Sequence, residues 1–438
     1  MMSRCHMVRT LCLLLAGFLT ACVVPSPMSS EEVPPEKVSI LFWDQFVDVS
    51  DRMDAIVADF NTSQDRIEVV REPYTVTAMR DIVRTALTSG TGPDIIYYDL
   101  GPGISGVLAG AGLLMPLEDI YVERGWDQRI YPWTLDRSTF NGHVYGVANE
   151  LEFIGFYYNQ RLFAEHDWRV PETWDELIAL CPAIREAGLV PIAFTNGPSW
   201  PAFHMFSIMM NNRVGRERLA RMISGEESWD HPDTVDAIRK FFVDMPAAGC
   251  FPQDFHAISY EDGLAMMQTG RAVMHPSGTW NVALFADSAL TPDPIGFFFL
   301  PSLDGGPVVV PGGIGSGWVV NAHTPHLEAV LEFIDYLISE ETGKRWIMEI
   351  NVVPAFPVDT TDLVIPELLE QALAIIGEQA DTMGYNIDVV VPARFNQVQW
   401  DGFAAIFQGQ KTPADIAAEL QAAMEEAKAA GEVVNLTE

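Results

Sequence analysis

Positive charge is scarce in this chain. Its 26 Lys and Arg stand against 60 Asp and Glu, a formal net charge of −34 over 438 residues. Nucleic acid and anionic lipid headgroups both need a cationic face, so the composition argues against either as a partner. Cysteine is also rare. Of five, Cys5 and Cys12 fall in the first 21 residues, Cys22 follows an apolar run, and only Cys181 and Cys250 lie in the body of the chain. Neither C-x-x-C nor H-E-x-x-H occurs, so no zinc site is spelled out, and no metal or cofactor is expected. There is no G-x-S-x-G around a nucleophile, and the nine histidines are dispersed, so no catalytic triad is legible. The two body thiols could close one disulfide in an oxidising compartment, but spacing alone does not show that they meet. Internal repeats are absent as well.

What is present begins with an address. Arg4 and Arg9 precede the apolar stretch Leu11 to Leu19, which is too short for a comfortable membrane span and reads as a signal peptide over residues 1–21. Leu19-Thr20-Ala21-Cys22 resembles a bacterial lipobox, with Cys22 as the lipidated first residue of the mature chain. Residues 22–36, rich in Pro, Ser and Glu, cannot build a core and read as a tether. The remaining length suits two domains.

From residue 37 the pattern is β-α-β-α-β. Strands are expected over 37–43, 67–70 and 95–98, with helices over 51–61 and 77–87, an α/β layered sheet. The Asn141-Gly142 turn leads to Val144–Val147, then Glu150 and Glu152, then the apolar run Phe153–Tyr158. This stretch reads as the crossing between two halves. Beyond Trp174 helices dominate, with caps such as Thr173 three residues before Glu176. A strand returns near 295–301 and another ends at Asn321.

Three motifs invite chemistry. Gly101-Pro102-Gly103-Ile104-Ser105-Gly106 matches G-x-G-x-x-G between a strand and a helix. It follows the third strand, however, and Pro102 stiffens the loop, so a plain turn is the simpler reading. Glu150 and Glu152, two apart on a strand, share a face and could be a carboxylate pair, a ligand contact or a solvated edge. The 11 tryptophans divide. Trp168, Trp174 and Trp346 read as core, whereas Trp200, Trp280, Trp318 and Trp400 stand beside Gly or polar residues. A flat apolar face rimmed by hydrogen-bonding groups is complementary to a sugar ring.

Taken in order, ILFWDQF (40–46), SGTGPDIIYYD (89–99), AGLLMPLEDI (111–120), NGHVYGV (141–147), FYYNQRLF (156–163), VPETWDEL (170–177), TGRAVMHPSGTW (269–280), GFFFLPSLDGG (296–306), the run 315–337 and NVVPAFP (351–357) resemble the carbohydrate-binding group of extracellular solute-binding proteins of ABC importers. The resemblance covers 37 to about 425. It implies an α/β, two-lobed periplasmic-binding-protein-like (type II) fold with a multi-strand hinge. Lobe 1 would comprise 37–147 plus 300–318, and lobe 2 would comprise 150–296 plus 320–438.

It further implies a non-enzymatic receptor that captures a sugar or oligosaccharide in the interlobe cleft and hands it to an ABC permease. The expected form is a monomer lipid-anchored through Cys22, extracytoplasmic or periplasmic. A polyamine, a glycerol-phosphate or a surface glycoside hydrolase are the alternatives. Under the resemblance Trp280 and Trp400, with Trp200, would stack on sugar rings. Trp318 joins them as a ligand contact. Asp44 and Asp99 would accept hydrogen bonds from hydroxyls, Glu152 would present a carboxylate from the hinge, and Arg394 would add a charge from a loop. Two departures, the aromatic GFFFLP and Asn149-Glu150 in place of a Pro, leave the solute's identity open.

Overall fold

The computed structural model describes residues 37–434 and 436, except 198–199, 304 and 380–382. The expected signal peptide, the tether and Cys22 lie outside the described residues.

The strands are β1 (Val38–Asp44), β2 (Ile67–Pro73), β3 (Ile95–Asp99), β4 (Val147–Ala148), β5 (Glu150–Asn159), β6 (Val190–Ile192), β7 (Ala272–Gly278), β8 (Ile295–Phe298), β9 (Pro311–Ile314), β10 (Ser316–Val320), β11 (Val353–Pro354) and β12 (Gly384–Tyr385). A small hairpin, Thr139–Phe140 with His143–Val144, turns at Asn141-Gly142 as expected. The helices that matter below are α1 (Ser50–Ser63), α2 (Val76–Ser89), α3 (Trp174–Glu186), α4 (Trp200–Val214), α5 (Tyr260–Gln268), α6 (Leu327–Leu337), α7 (Ile387–Val390), α8 (Ala393–Phe407) and α9 (Pro413–Ala430).

Local chemistry sets their ends. Thr75 and Thr173 accept from the amides of Ala78 and Glu176, and Thr412 with Asp415 forms a full capping box at α9. Left-handed glycines Gly90 and Gly431 close α2 and α9, a conformation that glycine adopts without a Cβ penalty.

Two sheets result. The first has the order β2-β1-β3-β10-β4, with β1, β2 and β3 parallel and β10 antiparallel to both neighbours. The second runs β12-β9-β5-β7-β6, and β8 and β11 also pair with β5. Within its ten residues β5 therefore changes partners. Glu150–Phe153 lie against β9 and β11, and Ile154–Asn159 against β7 and β8. Nine of those ten residues are buried, which is why the segment reads as a near-continuous apolar run instead of an alternating one.

The chain passes between the sheets through single residues. Asn149 alone separates β4 from β5, and Gly315 alone separates β9 from β10. The two crossings are tied together, because the amide of Asn149 donates to Ser316 O (3.1 Å) and that of Gly315 donates to Glu150 O (2.9 Å). A third passage leads from Ile350 into β11.

The expected lobe boundaries need correction. β9 belongs to the second sheet, although 300–318 was expected in the first lobe. Residues 327–350 pack with the first core, although 320–438 was expected in the second. Phe333 lies edge-on to Phe42 at 5.4 Å and 5.0 Å from Phe60, and Trp346 stacks on Tyr97. The apolar stripe of α6 matches the bare face of β1 and α1 better than its place in the chain suggests. The glycine pair 312–313 lies within β9. A Cβ on Gly312 would sit 2.5 Å from Glu152 O, so glycine here marks close approach of two backbones.

In the second lobe Cys181 of α3 and Cys250 form a disulfide across 69 residues, and both are fully buried. It pins α3 beside β6, where the amide of Ile192 donates to Cys250 O (2.9 Å). Loop closure of that length contributes about 2–4 kcal/mol. The double variant Cys181→Ala, Cys250→Ala is accordingly expected to lose about that much in urea unfolding while keeping its far-ultraviolet circular dichroism. An unchanged midpoint would show that the bridge adds nothing to stability.

Candidate functional site

The sheet junction gathers carboxylates. Asp99 ends β3, where its Oδ2 accepts from Arg80 of α2 through Nε (3.1 Å) and Nη2 (2.6 Å) and its Oδ1 from Ser316 Oγ (3.0 Å). Glu150 and Glu152 open β5 on one face, as their spacing predicts, and each is only 7% exposed. Tyr97 Oη donates to Glu150 (3.2 Å), and Asn386 Nδ2 donates to Glu152 (3.0 Å). Gly315 leaves room for Glu152, whose carboxylate a Cβ there would strike. Asp388, in the short helix α7, completes the group from the second lobe. It is 3% exposed, and no hydrogen-bond donor reaches its Oδ1.

α4 holds this end of the second lobe in place. Asn211 exchanges hydrogen bonds with the amide and carbonyl of Tyr385 (3.0 and 2.7 Å), and Ser207 Oγ accepts from the amide of Ile387 (2.9 Å). The loop after β3 lies against the same segment. A Cβ on Gly101, at φ +140°, would collide with Val389 O, so these glycines serve a backbone contact between the lobes.

Arg80 is paired with Asp99, and burial makes ionisation of Glu150, Glu152 and Asp388 costly. Burial, offset in part by the Tyr97 hydroxyl, pushes Glu150 up to about 7. Burial and the neighbouring Glu150 charge hold Glu152 well above the ordinary carboxylate range. Asp388 is pushed up to about 6 by burial, with Arg80 opposing.

Beside these acids stands an aromatic group. Trp200 opens α4 and packs against Tyr260 at 4.5 Å, His204 at 5.1 Å and, edge-on, Trp280 at 6.3 Å. His204 is one helical turn beyond Trp200 and lies 5.2 Å from Trp280. Trp280, in a turn of 3₁₀ helix directly after β7, donates through Nε1 to Tyr260 Oη (3.0 Å). That hydroxyl also meets Ser277 Oγ (2.7 Å) and Asn281 Nδ2, so the wall is braced by a polar network. Trp200, His204 and Trp280 remain half-buried, as does Arg80. Burial, with the charge of Arg80 added, drops His204 to about 3 and keeps its ring neutral.

Four of the expected contacts, Asp99, Glu152, Trp200 and Trp280, thus fall in these two adjoining groups. Trp400 is 44% exposed and touches Phe203 at 5.7 Å, next to His204 in sequence, without joining the wall. Three others sit elsewhere. Asp44 is fully buried, held on both oxygens by Arg71, with Oδ1 also taking the Phe46 amide (2.9 Å); its expected hydroxyl-binding role gives way to an internal ion pair. Trp318 is buried without exposure between Tyr97 and Trp346, and is core. Arg394 lies within α8, not a loop, and pairs with Glu432 (2.9 Å) and Glu426 (3.3 Å). Arg80, His204, Tyr260 and Asp388 went unread in the sequence. Only the i, i+4 spacing of Trp200 and His204 could have flagged any of them. Among the described residues no group of three or more His, Cys, Asp or Glu is arranged to hold a metal ion.

The raised Glu150 value has a thermodynamic consequence. In the fold it keeps its proton to about pH 7, and in the unfolded chain only to about its ordinary 4.5. The native state therefore binds more protons across that window, and stability falls as pH rises from 4.5 to 7. Glu150→Gln, which cannot ionise, should gain on the parent over that window by on the order of 3 kcal/mol. Melting temperatures of both proteins at pH 5 and pH 8 check this. A variant-minus-parent difference that does not grow with pH would contradict it.

Comparison with known proteins gives the setting. Residues 55–361 match the bacterial extracellular solute-binding protein family. The multiple sugar-binding protein of Streptococcus mutans is 24% identical over 353 residues, covering 76% of this chain and 78% of that one. An uncharacterised ABC transporter extracellular-binding protein of Pyrococcus horikoshii is 23% identical, covering 75% and 76%. Among solved structures, one described under xylan utilisation by Caldanaerobius polysaccharolyticus superposes with a TM-score of 0.81 at 23% identity, covering 88% of this chain and 99% of that one. A chitin oligosaccharide binding protein superposes at 0.78 with 21% identity, covering 90% and 100%. At such identities the structural likeness speaks for the fold, a two-lobed α/β architecture. The sequence match spans well over half of the chain, and the chain belongs to the family of bacterial extracellular solute-binding proteins.

Proposed function

We propose that this protein is the receptor subunit of an ABC importer, capturing a sugar or oligosaccharide at the sheet junction and passing it to a membrane permease. The observation that carries the reading is the pairing of an aromatic wall, Trp200, Trp280 and Tyr260, with hydrogen-bonding acids, Asp99 of the first sheet and Glu152 of the second. Stacking on the C–H face of a sugar ring and accepting from its hydroxyls are the two demands such a solute makes. Family membership and relatives named for sugar binding support the same class.

The hinge suits the task. Three passages through one or two residues allow the lobes to rotate while both sheets stay intact, and closure gives the permease a recognisable shape. Hydrolysis is a poorer reading, because Glu150 and Glu152 are neighbours on one strand face and do not flank a bond from two sides. A phosphate ester is disfavoured, since Arg80 is committed to Asp99. Among the described residues no helix is long and apolar enough to cross a membrane. In this reading the chain works as a monomer outside the membrane, anchored through lipid on Cys22.

A thermal-shift panel of mono- and oligosaccharides, polyamines and glycerol-phosphate tests the class. A specific solute at a hundredfold excess over Kd should add about 2.7 kcal/mol of apparent stability. Stabilisation by non-sugar solutes alone would reject the proposal. With a binding sugar in hand, Trp280→Ala should weaken affinity more than about tenfold in calorimetry with little change in melting temperature. Unchanged affinity would remove Trp280 from the site.

A further inference from the structure

The charge balance at the sheet junction is unfinished. Asp99 has Arg80 and Ser316, Glu150 has the Tyr97 hydroxyl, and Glu152 has Asn386. The three acids stand beside Arg80, which is already paired with Asp99, and the buried Arg137 guanidinium nearby bonds Gly312 O (2.8 Å). Asp388 stands apart from them in one respect. Its Oδ1 is shut away from water and no side chain donates to it, only the backbone amides of Asp388 and Val389 acting on the carboxylate, although the residue lies within electrostatic reach of Arg80, Asp99 and Glu152. A buried acceptor without a donor is costly, and nearly all such groups find partners in native structures.

We propose that the donor is the solute itself, and that the solute is a sugar bearing a protonated amine seated between Asp388 and Glu152. An ammonium offers three donors and one positive charge. It would satisfy Asp388 Oδ1 and offset the acids left over after Arg80 has paired. A hydroxyl in the same place would supply one donor and leave the charge unbalanced. The neutral His204 ring and the indoles alongside bring no competing cation, and the aromatic wall takes the ring that carries the amine. The raised ionisation points of Glu150 and Asp388 agree with a site that holds protons until a cation replaces them. The inference rests on the reading of this junction as a carbohydrate site.

Matched pairs test it with the full-length protein. Glucosamine oligomers against cello-oligosaccharides, galactosamine against galactose and mannosamine against mannose each differ by an amine in place of a hydroxyl. Titration calorimetry at pH 7 in two buffers of different ionisation enthalpy gives both affinity and protons released. The amine should bind at least about tenfold tighter in one pair, with net proton release. Asp388→Asn should remove that preference, so that amine and hydroxyl partners bind within about threefold of each other; a melting curve confirms the variant is folded. Equal or tighter binding of the hydroxyl partner would overturn the amine while leaving the sugar reading intact. Binding of spermidine with none of the sugars would overturn both, as would the absence of any binding. An amine preference that survives Asp388→Asn in a folded variant would overturn the assigned position.

Discussion

The ten-residue strand Glu150–Asn159 is the constraint from which the rest of the molecule follows. It pairs with four other strands, two along each half, and nine of its residues are buried. Its first residues have their backbone in the junction between two sheets, with the buried side chains of Glu150 and Glu152 beside Asp99 and Asp388. A shift of one residue in its register would turn both glutamates into the aromatic core around Phe153, Tyr157 and Phe297, and bring Leu151 to the polar side. Register is therefore fixed by burial on both faces, and that fixes where the acids stand.

The crossings extend this constraint into mechanics. Asn149 and Gly315 each change sheets within one residue and are hydrogen-bonded to each other's neighbours. Every flanking position is held in a ladder, which leaves these single residues as the links between the sheets. Gly315 serves here for two reasons. It is the turning point of a strand, and the carboxylate of Glu152 occupies the space a side chain would need. The crossing between the sheets and the acids of the site thus meet at one contact.

Much of this is legible in the sequence. The β-α-β-α-β opening, the Asn-Gly turn before the crossing, the Thr173 cap and the shared face of Glu150 and Glu152 depend on periodicity and local hydrogen bonding, which sequence carries directly. Asp99, Glu152, Trp200 and Trp280, which the fold brings into adjoining groups, are marked by their neighbours as strand ends and aromatics near glycines. The failures have a common cause. Asp44 and Arg71 lie 27 positions apart, and Arg394 and Glu432 lie 38 apart, so the partner that neutralises each charge is invisible locally. Trp318 sits beside glycines that make room for strand packing, not for a solute. α6 and Trp346 join the first core after a return of more than 200 residues. Asp388 and Asn386 are brought to Glu152 by the α4 scaffold, and no spacing rule anticipates that.

The most direct test of this account is a crystal structure of the protein with a sugar that stabilises it. The account predicts a ring packed on Trp280 and Trp200, with polar substituents within hydrogen-bond distance of Asp99 or Glu152 and the two lobes meeting around it. A solute bound elsewhere, with Trp280 and Glu152 untouched, would contradict it.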